Sequence, residues 1–175
     1  QILALNSLQE LIQKHATGKP LTVDTQYLET LGAIATDESI DPAFRARLLE
    51  LPDENYLGQQ QAVILVESLH AAREFLQQSI ALHNEARFLK VYQSLGSPEY
   101  KFESKEVGKR KLKAIALKYL AATKKSDYAK TALSQLKEGR SMAEEMQALN
   151  ALVHLDTVER EEALHHFYQK WNRES

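Results

Sequence analysis

Apolar residues recur at three- and four-residue steps along nearly the whole chain, the period of one face of an α-helix. Ile2, Leu5, Leu8, Leu11 and Ile12 form the first stripe, and Gly18 followed by Pro20 ends it. A second helix is predicted from Asp24, a capping residue, through Tyr27, Leu28, Leu31 and Ile34. Asp41-Pro42 opens a third, with Asp at the N-cap and Pro at the first helical position. Its apolar side is read as Phe44, Leu48 and Leu49, and Pro52 closes it. The longest periodic segment, residues 65–95, carries Leu69, Ala72, Leu76, Ile80, Ala86, Leu89 and Tyr92, with a slip of the stripe near His83. The run Ala62-Val63-Ile64-Leu65-Val66 reads in isolation as a buried strand. Its polar, periodic continuation favours the start of a helix that lacks a capping residue.

Gly96-Ser97-Pro98 breaks the pattern. Four helices follow, predicted over Ser104–Ala122, Ser126–Glu138, Met142–Leu155 and Thr157–Asn172, with Ser104, Ser126, Ser141 and either Asp156 or Thr157 as caps. Ser141-Met142-Ala143-Glu144 has the spacing of a capping box. In the last helix Leu164, Phe167, Tyr168 and Trp171 are expected to share one buried face. No alternating strand pattern survives. A helix pair therefore repeats in roughly 40 residues or fewer, and small Ala beside Leu recurs at the expected contacts. The fold class is all-α: stacked antiparallel helix pairs in a HEAT- or armadillo-like superhelical array. We read residues 1–175 as a single α-helical domain, truncated at its C-terminal end, with a sub-boundary at 96–103.

Composition narrows the function classes. A chain of 175 residues supports one domain and needs no covalent staple at that size. With no Cys there is no disulfide scaffold, iron–sulfur cluster or thiolate zinc site. No apolar run approaches the roughly 18 residues of a membrane span. Gln1 sits inside an apolar-periodic stretch, so we expect a segment of a longer chain. The net charge of −2 conceals a split: −6 over residues 1–100, +8 over 101–137 and −4 over 138–175. Such asymmetry points to a partner or to packing within the molecule.

Candidate chemistry is sparse. Six His are present, but the helical zinc signature H-E-x-x-H is absent. Glu161/His165 and Glu162/His166 stand one turn apart, a spacing that suits either a divalent metal or ordinary surface pairing. His70 with Glu74, and His83 with Arg87, share helix faces. No nucleophile elbow, P-loop or dinucleotide fingerprint occurs. Gly108 inside a predicted helix costs about 1 kcal/mol relative to Ala, and a close helix crossing is the expected reason. Lys105, Lys109, Arg110, Lys111, Lys113, Lys118, Lys124, Lys125 and Lys130, interleaved with Tyr119 and Tyr128, are compatible with phosphate-backbone binding. A solvated face or an interdomain contact is the alternative. We name no catalytic, cofactor-binding or metal-binding residue.

Several segments, in order, resemble the C-terminal helical domain of bacterial aminopeptidase N, the alanyl aminopeptidase family of gluzincin-type zinc metallopeptidases. They are Asp41-Pro42-Ala43-Phe44-Arg45-Ala46, Leu51-Pro52 with Tyr56-Leu57, Leu69-His70-Ala71-Ala72-Arg73-Glu74 and Ala114-Ile115-Ala116-Leu117-Lys118-Tyr119-Leu120-Ala121. The most distinctive follow: Met146-Gln147-Ala148-Leu149-Asn150-Ala151-Leu152, Glu159-Arg160-Glu161-Glu162-Ala163-Leu164 and Phe167-Tyr168-Gln169-Lys170-Trp171. Leu65-Val66 departs from the family pattern, which has an Asp-Pro-like helix entry there. The family domain continues past Trp171.

The resemblance implies a parent with an N-terminal β domain, a thermolysin-like catalytic domain, a small β domain and a helical lid over the active site. One zinc, held by H-E-x-x-H and a downstream Glu, activates water there, and a G-x-M-E-N segment holds the substrate's α-amino group. None of these elements lies in this sequence. The expected role is therefore the chamber wall of a cytoplasmic aminopeptidase. Its partners would be the catalytic domain of the same chain and, in the parent, peptide substrates, with no nucleic acid and no membrane. A free-standing helical-repeat interaction module, and nucleic-acid binding through 101–137, are the alternative readings.

Overall fold

The computed structural model describes residues 2–95 and 103–172. They form ten α-helices and no strand: α1 (Ile2–Ala16), α2 (Thr25–Thr36), α3 (Pro42–Leu49), α4 (Glu54–Gln59), α5 (Val66–His83), α6 (Glu85–Ser94), α7 (Ser104–Ala122), α8 (Ser126–Glu138), α9 (Met142–Leu152) and α10 (Val158–Trp171). Local chemistry explains most of the boundaries. Asp24 accepts from the backbone N–H of Gln26, and Asp41 from those of Ala43 and Phe44 ahead of Pro42. Gly18 takes φ +67°, the left-handed turn that ends α1. Ser141 accepts from Glu144 N–H, while the Glu144 carboxylate reaches back to Arg140 N–H, one residue before the cap. Thr157 caps α10 through Arg160 N–H.

The array is built around α7, which packs against α3, α5, α6, α8 and α9. One apolar core joins Leu8, Leu11 and Ile12 of α1 to Leu76 and Ile80 of α5, Phe88 of α6, and Leu112 and Leu120 of α7. A second joins Leu117 and Ala121 of α7 to Ala132 and Leu136 of α8, Leu152 of α9 and Ala163 of α10. Two opposite faces of α7 are thus buried, so one helix carries seven buried residues. Gly108 permits this: a Cβ there would lie 2.9 Å from the Ala43 backbone nitrogen, so α3 and α7 cross in close contact as expected.

Several expectations are corrected. The segment 65–95 is two helices, because the chain breaks at Asn84. Asn84 is buried; its Nδ2 donates to Leu28 O of α2 at 2.8 Å and its Oδ1 accepts from Arg87 at 2.8 Å. Gly32 leaves the room for this side chain. Residues 62–65 are neither strand nor helix, and α5 starts after Leu65 with no side-chain cap. Ser104 and Ser126 are first helical residues rather than caps; Glu103 and Lys125 hold the cap positions with no capping bond. α9 stops at Leu152, and Leu155 closes the second core from a turn. Phe44 is exposed, since Ala46 and Leu49 take the opposite, inward face of the short α3. In α10, Leu164 and Tyr168 are exposed too: Ala163 and Phe167 set the inward stripe one residue earlier. Short α4, capped by Asp53, has too few residues to show a period. The break at Gly96-Ser97-Pro98, and most of the sub-boundary at 96–103, lie outside the described residues.

Candidate functional site

The basic stretch does not form one face. Its charges are distributed around α7 and α8, and two of them, Lys124 and Lys125, meet acids supplied by other helices. Lys124 pairs with Glu74 of α5 at 2.8 Å, and Lys125 with Glu85 of α6 at 2.7 Å. Lys109 pairs with Glu106, and Lys113 stands over the Tyr92 ring at 5.0 Å. Lys118 is half-buried, and burial together with Arg73 lowers its pKa. The hydrogen bond from Lys124 holds Glu74 below the ordinary carboxylate range, and those from Lys125 and Tyr128 do the same for Glu85. Part of the charge split seen along the chain is therefore cancelled within the fold.

The two tyrosines of that stretch are structural. Tyr119 is buried, stacks on Phe88 with ring centroids 4.6 Å apart, and donates from its hydroxyl to Leu49 O at 2.7 Å. Burial pushes its pKa far up. Tyr128 donates to Glu85, and burial with that bond raises it to about 12.

Two of the histidines singled out in the sequence, His70 and His83, meet carboxylates of other helices. His70 meets Glu54 at 2.9 Å rather than Glu74, and His83 shares Glu29 with Arg87. Those two bonds hold Glu29 below the usual carboxylate range. Glu161 is held by Arg160, and Glu162 by Lys137 of α8. Among the described residues no three His, Asp or Glu side chains come together as a metal cage. Among the described residues neither carboxylate bonds the histidine one turn on, since Arg160 and Lys137 take Glu161 and Glu162, and His166 Nε2 has no hydrogen-bond partner.

A groove of about 410 Å³ runs between α6, α7, α8 and α9. Its polar groups are mutually engaged. Tyr92 donates to Gln135 at 2.9 Å, Ser134 to Glu138 at 2.6 Å, and Glu144 accepts from Arg140 N–H. Such a groove offers mixed charge and mutually bonded polar groups. Nearby, Glu145 is fully buried, with one oxygen on Lys170 at 2.6 Å and the other on Trp171 Nε1 at 2.7 Å. It ties α9 to α10 and has the satisfied contacts that a buried carboxylate requires.

A second groove, about 320 Å³, lies where the end of α2, the start of α3, the end of α6 and the start of α7 meet. Arg45 and Lys90 line it together with Lys105 and Lys109. The sequence reading singled out neither Arg45 nor Lys90. Arg45 interrupts an apolar helix face, and that is the only local signal it leaves.

Comparisons with known proteins agree with this architecture. A family model described as "Domain of unknown function (DUF3458_C) ARM repeats" matches residues 1–175. Aminopeptidase N of Escherichia coli is 26% identical over 93% of the chain, which corresponds to 19% of that relative's length. Aminopeptidase N of Caulobacter vibrioides is 29% identical over 95% of the chain and 20% of its own length. The chain thus spans about a fifth of these curated relatives, and the resemblance read from its residues is met over that fifth. The crystal structure of Legionella pneumophila aminopeptidase A in complex with aspartic acid superposes with a TM-score of 0.80 at 24% identity. That match covers 97% of this chain and 21% of the neighbour, and it supports the fold alone. No helix among the described residues is long and apolar enough to cross a membrane. The all-α array of stacked helices and the full-length family match agree, and the chain belongs to the DUF3458_C family of ARM-repeat domains.

Proposed function

We propose that the chain serves as the C-terminal helical domain of a zinc-dependent, cytoplasmic aminopeptidase, forming the wall and lid of its substrate chamber. The observation that carries this reading is the alignment of nearly the whole chain with one fifth of two aminopeptidase N sequences. A domain of that share, built as a helical array, is suited to shape access to a site made elsewhere. Its chemistry would be steric: it admits peptides, excludes folded chains, and leaves water activation to zinc ligands in the catalytic domain. Residues 1–175 form one domain in this reading, bear no catalytic or metal-binding residue, and have the catalytic domain of the same polypeptide as partner. The engagement of Lys109, Lys124 and Lys125 with acids of the same chain speaks against a nucleic-acid face over 101–137.

The test uses the purified chain, an aminoacyl chromogenic substrate and a zinc measurement. The expected result is no turnover and no stoichiometric zinc. The intact parent, in contrast, cleaves the substrate and carries H-E-x-x-H upstream. Stoichiometric zinc with turnover in the isolated chain overturns the proposal.

A further inference from the structure

The groove between α2, α3, α6 and α7 holds positive charge that no ion pair among the described residues neutralises. Arg45 is only 7% exposed, yet its guanidinium makes one hydrogen bond, from Nη1 to Ala35 O at 3.2 Å. Its Nε–H has no acceptor, and among the described residues no carboxylate forms an ion pair with it. Asp37 feels the Arg45 charge, but its carboxylate accepts from Ser39 N–H and Ser39 Oγ. A buried guanidinium without a counter-ion is costly, because desolvation is not repaid by attraction. Lys90, from α6, and Lys105, from the first turn of α7, line the same groove without an ion pair among the described residues. Lys109 is matched by Glu106, and among the described residues Glu38 is the one acidic side chain in the lining. Arg45, Lys90 and Lys105 against Glu38 leave two positive charges in excess, the charge of one phosphate dianion. The cavity, about 320 Å³ and open on one side, has room for such a group.

We propose that this groove binds a small phosphate-class oxyanion, drawn by the buried Arg45 charge and clasped by Lys90 and Lys105. Arginine suits the planar, forked contact that phosphate oxygens accept, and the two lysines act as mobile point charges at the rim. The site is separate from the proposed peptidase role and does not depend on it.

The experiment titrates the chain with inorganic phosphate and with glycerol phosphate at constant ionic strength in chloride. Binding is followed by calorimetry and by Tm. The expected result is saturable binding with a rise in Tm. The double variant Lys90→Gln/Lys105→Gln, altered only at exposed positions, is expected to bind at least about tenfold more weakly, since two charge-assisted contacts are removed. Its circular-dichroism melt without ligand separates loss of binding from loss of fold. Arg45→Lys, which keeps the charge but loses the fork, is expected to weaken binding as well. Equal affinity for the two ligands assigns the site to phosphate esters, and a preference for inorganic phosphate assigns it to the free ion. No phosphate-dependent change beyond that of chloride overturns the proposal, as does undiminished binding by the double variant.

Discussion

At the scale of single residues, several buried polar side chains are tied to backbone or to partners on other helices. Tyr119 is the clearest case, because its hydroxyl satisfies Leu49 O at the end of α3 while its ring stacks on Phe88. Replacing it by Phe keeps the stack but orphans a carbonyl, a loss of about 1–2 kcal/mol at neutral pH. For a chain of this size that lowers Tm by about 3–6 °C. The same residue makes stability depend on alkaline pH. Burial raises the pKa of Tyr119, and that of Tyr27 to about 12, above the ordinary value near 10. The stabilisation is fully present below the unfolded value and is lost as pH rises toward the folded ones. Tyr119→Phe is therefore expected to show a lower Tm at pH 7 and a shallower decline across about pH 9–11. Thermal melts over that range check it; an alkaline limb as steep as wild type contradicts it.

Helix ends with a local cap were legible, as were the buried faces of α1, α2 and α5, whereas the faces of α3 and α10 were not. Asp24, Asp41-Pro42, Gly18 and Ser141 act locally, so their chemistry marks the boundaries of α1, α2, α3 and α9 without any tertiary information. Ser104 and Ser126 misled by one residue because a serine serves equally well just inside a helix. Asn84 broke a continuous apolar period because its partners, Leu28 O and Arg87, lie on different helices. Period alone also misjudged α10, where Leu164 and Tyr168 fit the stripe as well as Ala163 and Phe167 do. Contact with α8 and α9 decided between them. Gly108 is the exception, a single residue that announced a tertiary crossing. Gly108→Ala gains about 1 kcal/mol of helix propensity but forces a methyl against the Ala43 backbone. Overpacking of this kind costs about 1–3 kcal/mol, so a net loss is expected in chemical denaturation. A denaturation midpoint at or above wild type contradicts the crossing.

Across the whole molecule, acids of α5 and α6 answer bases at the α7–α8 connection. The lowered pKa values of Glu74 and Glu85 give the sign: their stabilisation is present above the ordinary carboxylate value and is lost as pH falls through the folded values. Both pairs are partly exposed, so each is modest, and Glu74→Gln with Glu85→Gln is expected to lower Tm at pH 7 by about 1–4 °C. The double variant should also flatten the acid limb of the Tm profile; an acid limb unchanged from wild type contradicts the pairing. Helical period, capping chemistry and the ordered segments shared with aminopeptidase N are properties of neighbouring residues. The sequence by itself therefore determined the all-α class, most helix boundaries and the family. Charge pairing and groove lining join residues tens of positions apart. Only the tertiary structure could decide that Lys124 and Lys125 meet Glu74 and Glu85, and that Arg45, Lys90 and Lys105 stand around one groove without an ion pair among the described residues.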